Sequence, residues 1–156
     1  MNIELSNLTD SKCDLERLKS LAHFTILAQG VHPDSELNIS LLDEEEMSAL
    51  HLRWMEEEGP TDVLAFPMDE VKPNSASLGP AILGDIALCP TYANKNALKV
   101  NSSLQDELEL LIVHGVLHLL GYDHLEADQR EVMFALQDRY LVEWRAKRRA
   151  LLKFYQ

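Results

Sequence analysis

Apolar and polar residues alternate around Ile3 and Leu5, and again through Leu37, Ile39 and Leu41, the period-two pattern of half-buried strands. Between them Leu15, Leu18, Ala22 and Ile26 recur at helical spacing, and Gly30 closes that segment. Asp43 followed by Glu46 is a capping-box pattern that opens a short helix through about Trp54, and Gly59-Pro60 breaks it. Residues 62–66 form a short apolar run ending at Pro67, a third strand. Residues 69–80, with three of the chain's glycines and prolines (Pro73, Gly79, Pro80) among Asn and Ser, read as a functional-length loop. A fourth strand follows over 82–88, with Gly84-Asp85 inside it. Pro90 suits the first turn of a helix to about Leu98, Ser102 or Ser103 caps a long apolar helix through His114 and His118, and a last helix runs from about Glu126 towards Arg149. The pattern predicts an α/β (α+β) domain over 1–156, a small sheet with helices packed on it.

Composition narrows the setting without naming a task. Of 156 residues, 46 % are hydrophobic, enough for a real core. The longest apolar stretch, near 110–120, is interrupted by His114, Gly115 and His118, so no membrane span is expected, and the N-terminus lacks signal-peptide character. Cys13 and Cys89 belong to no paired motif and read as reduced thiols in a cytoplasmic protein. A formal net charge of −12 argues against gripping nucleic acid by bulk attraction. The acidic runs 44–46 and 56–58 and the basic cluster of Arg145, Lys147, Arg148, Arg149 and Lys153 read as solvated helix faces.

The chemistry concentrates in residues 114–124, His-Gly-Val-Leu-His-Leu-Leu-Gly-Tyr-Asp-His. His114 and His118 lie one turn apart on one helix face. Gly121 ends the helix in a left-handed conformation and lets His124 return beside them. Three imidazoles with one open position are the ligand set of a catalytic zinc, although the spacing admits another divalent metal. It is the ligand spacing of metzincin proteases, but Gly115 stands where those enzymes carry their general-base Glu. The carboxylates available for proton transfer are Asp123, Glu126 and Asp128 nearby, and Asp85 if its strand points it into the same cleft. His23, His32 and His51 have no partner at ligand spacing and read as ordinary structural or surface residues; Trp54 and Tyr92 read as core aromatics, and Tyr122 as a residue shaping the site.

Three segments together resemble the YbeY family of bacterial endoribonucleases of ribosomal RNA maturation: the histidine motif, Pro-Thr-Asp-Val-Leu-Ala-Phe-Pro at 60–67, and Leu-Gly-Asp-Ile-Ala-Leu-Cys-Pro at 83–90. Order, spacing and length agree across the chain. The resemblance implies a mostly parallel four-stranded sheet flanked by helices around a zincin-like cleft, with one Zn2+ held by His114, His118 and His124. It implies a metal-dependent, single-strand-specific endoribonuclease that processes the 3′ end of small-subunit ribosomal RNA and serves ribosome quality control, in company with small-subunit ribosomal proteins or an assembly GTPase. His114, Asp85 and Arg53 are the catalytic candidates. Arg53 enters because many members carry an arginine where this chain has Met55, two residues on. Two other functions fit the same residues: a metal-dependent hydrolase of another substrate, such as a peptide, and a non-catalytic ribosome-assembly factor that zinc only stabilises.

Overall fold

The computed structural model describes residues 1–56, 59 and 61–154. Glu57 and Glu58 of the second acidic run, and Pro60 at the head of the 60–67 segment, lie outside the described residues. The elements follow the order β1 (Asn2–Asn7), α1 (Leu15–Ala28), β2 (Glu36–Leu41), α2 (Glu44–Met55), β3 (Val63–Pro67), β4 (Ile82–Leu88), α3 (Pro90–Lys99), α4 (Leu104–Leu119) and α5 (Ala127–Phe154). Within the 69–80 loop, Ala76–Leu78 forms a single 3-10 turn.

The helices begin where their caps dictate. Asp14 accepts from the Arg17 amide, Asp43 from the Glu46 amide and Ser103 from the Asp106 amide, each at about one hydrogen-bond length, satisfying amides that have no partner inside the helix. Of the two serines expected to cap α4, Ser103 does so.

The sheet order is β1-β2-β4-β3. β1 pairs β2 and β2 pairs β4 in parallel, while β3 runs antiparallel to β4 at the edge. The mostly parallel four-stranded sheet is therefore present. Its two faces differ. Ile3, Leu37, Ile39, Leu41, Leu83, Ile86 and Leu88 turn to the main core, which α1, α4 and α5 complete. The opposite face carries the small cluster of Leu42, Met47, Leu64, Ala87 and Cys89, with Tyr92 half-buried against it as expected. Trp54, expected in the core, is instead 58 % exposed. Its ring meets Phe66 edge-on at 6.2 Å on the thinly covered side of the sheet, with the Arg53 guanidinium 5.2 Å from its centroid.

α4 is the pillar of the domain, packed against α1, α3, α5, β3 and β4. Leu108, Ile112, Val113, Val116 and Leu117 on it are fully buried, each worth about 1.5–3 kcal/mol in apolar burial. Glu109, 0 % exposed, is the charged residue on this buried surface. Arg17 of α1 donates to both its oxygens (2.9 and 3.1 Å), Arg145 of α5 to one (3.1 Å) and Gln105 to the other (3.0 Å). Burial pushes the carboxyl up, but these hydrogen bonds outweigh it and hold the group below the ordinary glutamate value. Part of the basic C-terminal cluster is thus structural rather than solvated.

Because the folded-state pKa of Glu109 is depressed, its contribution is fully present above the ordinary glutamate range and is lost as pH falls through the lower folded value. Glu109→Gln should lower stability by about 2–3 kcal/mol at neutral pH, with the deficit against the parent shrinking as pH falls below about 4. Denaturant unfolding of both proteins across that pH range checks this; a deficit constant with pH would contradict it.

Candidate metal centre

The end of α4 builds the site. Gly121, at φ 96°, follows the C-cap Leu120. The Gly121 amide donates to the His118 carbonyl and the Tyr122 amide to the Leu117 carbonyl, both at 3.1 Å, the paired bonds of a Schellman termination. A side chain would be strained in that conformation, so glycine makes the sharp exit that carries His124 back across the helix end. The loop is then tied down. The Tyr122 hydroxyl donates to Gln29 (2.8 Å), whose amide donates to the Tyr140 hydroxyl of α5 (2.6 Å). The motif tyrosine shapes the site by this anchor.

The three imidazoles converge. Ring centroids lie 5.2 Å apart for His114 and His124, 6.0 Å for His118 and His124, and 6.1 Å for His114 and His118. His118 Nδ1 lies 2.8 Å from the Tyr122 carbonyl oxygen and donates to it, and His114 Nδ1 lies 2.6 Å from Gln137 Oε1. Both rings are thereby fixed in the tautomer that leaves Nε2 unprotonated, the arrangement that metal-binding histidines adopt. Burial lowers the pKa of His114; the hydrogen bond to Gln137 opposes this, and the neighbouring charges of His124 and His118 add to the lowering. The outcome favours the neutral form, which is the ligand form.

With Zn–N bonds of about 2.0–2.1 Å, three tetrahedrally placed imidazoles have ring centroids about 5.2 Å apart. One pair already meets that spacing and the other two are about 1 Å wider. Accordingly, no trio of His, Cys, Asp or Glu among the described residues is drawn tightly enough to grip an ion as it stands. Binding would require the two wider pairs to close by about 1 Å, and the donor set suits zinc.

The surrounding cleft, about 430 Å3, is lined by Met55, Asp62, Val63, Leu110, Phe134 and Gln137 beside the histidines, with Glu107 and Gly115 also on its wall. Gly115 presses on β4: a Cβ there would meet Ile86 at 3.0 Å. A side chain at the position that holds the general base in metalloproteases would therefore have to displace Ile86 by a few tenths of an ångström.

Asp85 and Arg53 are not part of this cleft. Both line a larger groove of about 950 Å3 on the opposite side of the sheet, with Glu4, Asn38, Trp54 and Phe66. The larger cavity is therefore not the one with metal-site chemistry. The expectation that Asp85 shares the histidine cleft fails for a definable reason. Glu36 pairs with Ile82 but Leu37 with Gly84, so Leu83 is an extra residue and the strand changes phase there. Leu83 and Ile86 both face the core, and Asp85 is turned away. Asp123 accepts from the His124 amide (2.7 Å), a local turn bond, while Glu126 and Asp128 are exposed.

Four cleft residues were not foreseen. Glu107 had a signal: it stands seven residues before His114, two turns along the same face. Asp62 belongs to the 60–67 segment. Phe134 and Gln137 come from α5, and nothing local in the sequence links them to the histidines. Burial raises the Glu107 pKa, and the negative charge of Asp62 raises it further.

Comparison with known proteins gives the family. The family model described as Endoribonuclease YbeY matches residues 4–145. The chain belongs to the endoribonuclease YbeY family. It is 50 % identical over 155 residues to the "Endoribonuclease YbeY" of Acidothermus cellulolyticus, covering 96 % of this chain and 94 % of that protein. It is 49 % identical to the protein of the same name from Thermobifida fusca (93 % and 95 % covered) and 51 % to that of Mycolicibacterium smegmatis (92 % and 83 %). A solution structure from Thermotoga maritima superposes with a TM-score of 0.64 at 29 % identity, over 93 % of each chain.

Gln137→Leu removes the acceptor from His114 Nδ1 while keeping the bulk. It should weaken zinc binding by about 10- to 100-fold. Competition against a chromophoric chelator reads this directly; an unchanged affinity would show that Gln137 does not orient the ligand.

Proposed function

We propose that this YbeY-family chain is a metal-dependent, single-strand-specific endoribonuclease acting in ribosomal RNA maturation, including the 3′ end of the small-subunit RNA and ribosome quality control. The observation that carries the reading is the convergence of His114, His118 and His124, two of them held through Nδ1, on one cleft of a chain in this family. We assign the metal, most simply one Zn2+, to these three Nε2 atoms. Such an ion would polarise a phosphate oxygen and activate the attacking hydroxyl. Its charge would also offset locally the −12 of the whole chain.

The proton donor we assign is Glu107. Its raised pKa keeps more of it protonated towards neutrality, as a general acid requires. As the acid it would lose activity as pH rises through that raised value. Asp85 and Arg53 belong to the other groove and are given no part in bond cleavage. They are exposed there to whatever the sheet face meets, for which a small-subunit ribosomal protein or an assembly GTPase is the working partner. Among the described residues no helix is long and apolar enough to cross a membrane, and we place the activity in the cytoplasm.

Peptide hydrolysis is disfavoured because Gly115, packed on Ile86, stands where metalloproteases of this spacing carry their general base. A purely structural zinc would need a fourth protein ligand. The nearest motif carboxylate, Asp123, is engaged with the His124 amide instead.

An RNA cleavage assay with metal content measured in parallel tests the proposal. His114→Ala should lose both bound zinc and cleavage. Glu107→Gln should keep its zinc, cut about 100-fold or more slowly, and lose the alkaline limb of the pH profile. Full-rate cleavage by zinc-free His114→Ala protein would overturn the metal assignment.

A further inference from the structure

Phe134 has no place in the chemistry above, yet it lines the cleft beside the histidines. Its ring centroid lies 6.5 Å from His114 and 6.4 Å from His124, so it borders two of the three proposed ligands while offering no donor atom. It is not a core residue. On α5 the buried stripe is Met133, Gln137, Tyr140, Leu141 and Trp144. Phe134 sits on the shoulder of that stripe, 41 % exposed, three residues before the glutamine that holds His114. A large apolar ring is thus kept partly in solvent at the mouth of a polar site, where burying it would have stabilised the fold.

The rest of the cleft says what the ring faces. Met55, itself 45 % exposed, and Val63, Leu110 and Leu111 make an apolar wall, while Asp62 and Glu107 supply negative charge. Such a lining repels a phosphate backbone away from the metal position and favours a flat uncharged group. At about 430 Å3 the space is of a size to take one nucleotide. Single-stranded RNA offers unstacked bases that rest on aromatic rings, whereas the bases of an A-form duplex are stacked on each other and out of reach.

We propose that Phe134 is a substrate-binding platform on which one unstacked base of the RNA rests while the adjacent phosphate lies at the three histidines. The inference rests on the endoribonuclease reading and gives it a physical basis for single-strand selectivity. A phenyl ring makes no hydrogen bonds to base edges, so the stacked position should tolerate all four bases.

The test uses zinc-loaded full-length protein and a short 2′-O-methyl RNA strand in which 2-aminopurine replaces each base in turn. The parent protein should quench fluorescence strongly at one position. Phe134→Leu, which keeps apolar bulk without the ring, should lose that quench and weaken binding about tenfold or more. On cleavable RNA its KM should rise with kcat maintained, and its zinc content and melting temperature should match the parent. Phe134→Trp should restore both quench and affinity. A Phe134→Leu protein that binds and quenches like an active parent overturns this proposal alone, as does failure of tryptophan to restore stacking. A zinc-loaded parent that neither binds the strand nor cuts the cleavable RNA overturns the endoribonuclease reading and this proposal with it.

Discussion

The site depends on how closely α4 is seated against the sheet. At Gly115 the helix packs directly on the Ile86 side chain, leaving little space for a Cβ. That contact lets α4 sit close to β4. With Ile112, Val116 and Leu117 committed to the core, the face that remains is the stripe of Glu107, Leu110, His114 and His118. Glu109 resists rotation from the other side, since its two oxygens are held by arginines from α1 and α5. The Schellman exit at Gly121 adds the third histidine to a face already determined. The convergence of the three histidines is therefore inherited from packing, with Gln137 and the Tyr122 carbonyl making the last adjustment to the ring orientations.

The same seating divides the molecule into two basins. On the α4 side the sheet is apolar and the cleft is small and lined by histidines. On the α2 side, Glu4, Ser6, Asn38, Ser40 and Asp85 present a polar surface to an open groove. Alternation along the strands produces this separation, because neighbouring residues in a strand face opposite ways. Neighbours in sequence can thus serve different parts of the molecule: Asp85 is exposed in the groove, while the Ile86 side chain is buried in the main core. Met55 and Trp54 repeat the pattern at the end of α2: Met55 lines the histidine cleft and Trp54 the groove behind it.

Much of this was legible in the sequence, and the exceptions have physical causes. The caps at Asp43 and Ser103, the turn at Gly121 and the histidine spacing are local signals, and each element appears where those residues set it. The side taken by Asp85 is not a local property, because only the pairing of Leu37 with Gly84 reveals the bulge that sets the phase of its strand. Trp54 was misread because helical spacing cannot tell that the face α2 covers is only partly closed. Gln137 and Phe134 reach the site through the docking of α5, a long-range event with no local trace. The role of Gly115 was half-visible: the missing glutamate could be seen, but not the isoleucine packed against its place.

The central claim is that three histidines, and no fourth side chain, hold the catalytic ion. X-ray absorption at the zinc edge on the loaded full-length protein measures this most directly. The account predicts three imidazole nitrogens at about 2.0–2.1 Å and one exchangeable oxygen, with one imidazole lost in His124→Ala. A shell of four protein ligands, or one unchanged in His124→Ala, would contradict it.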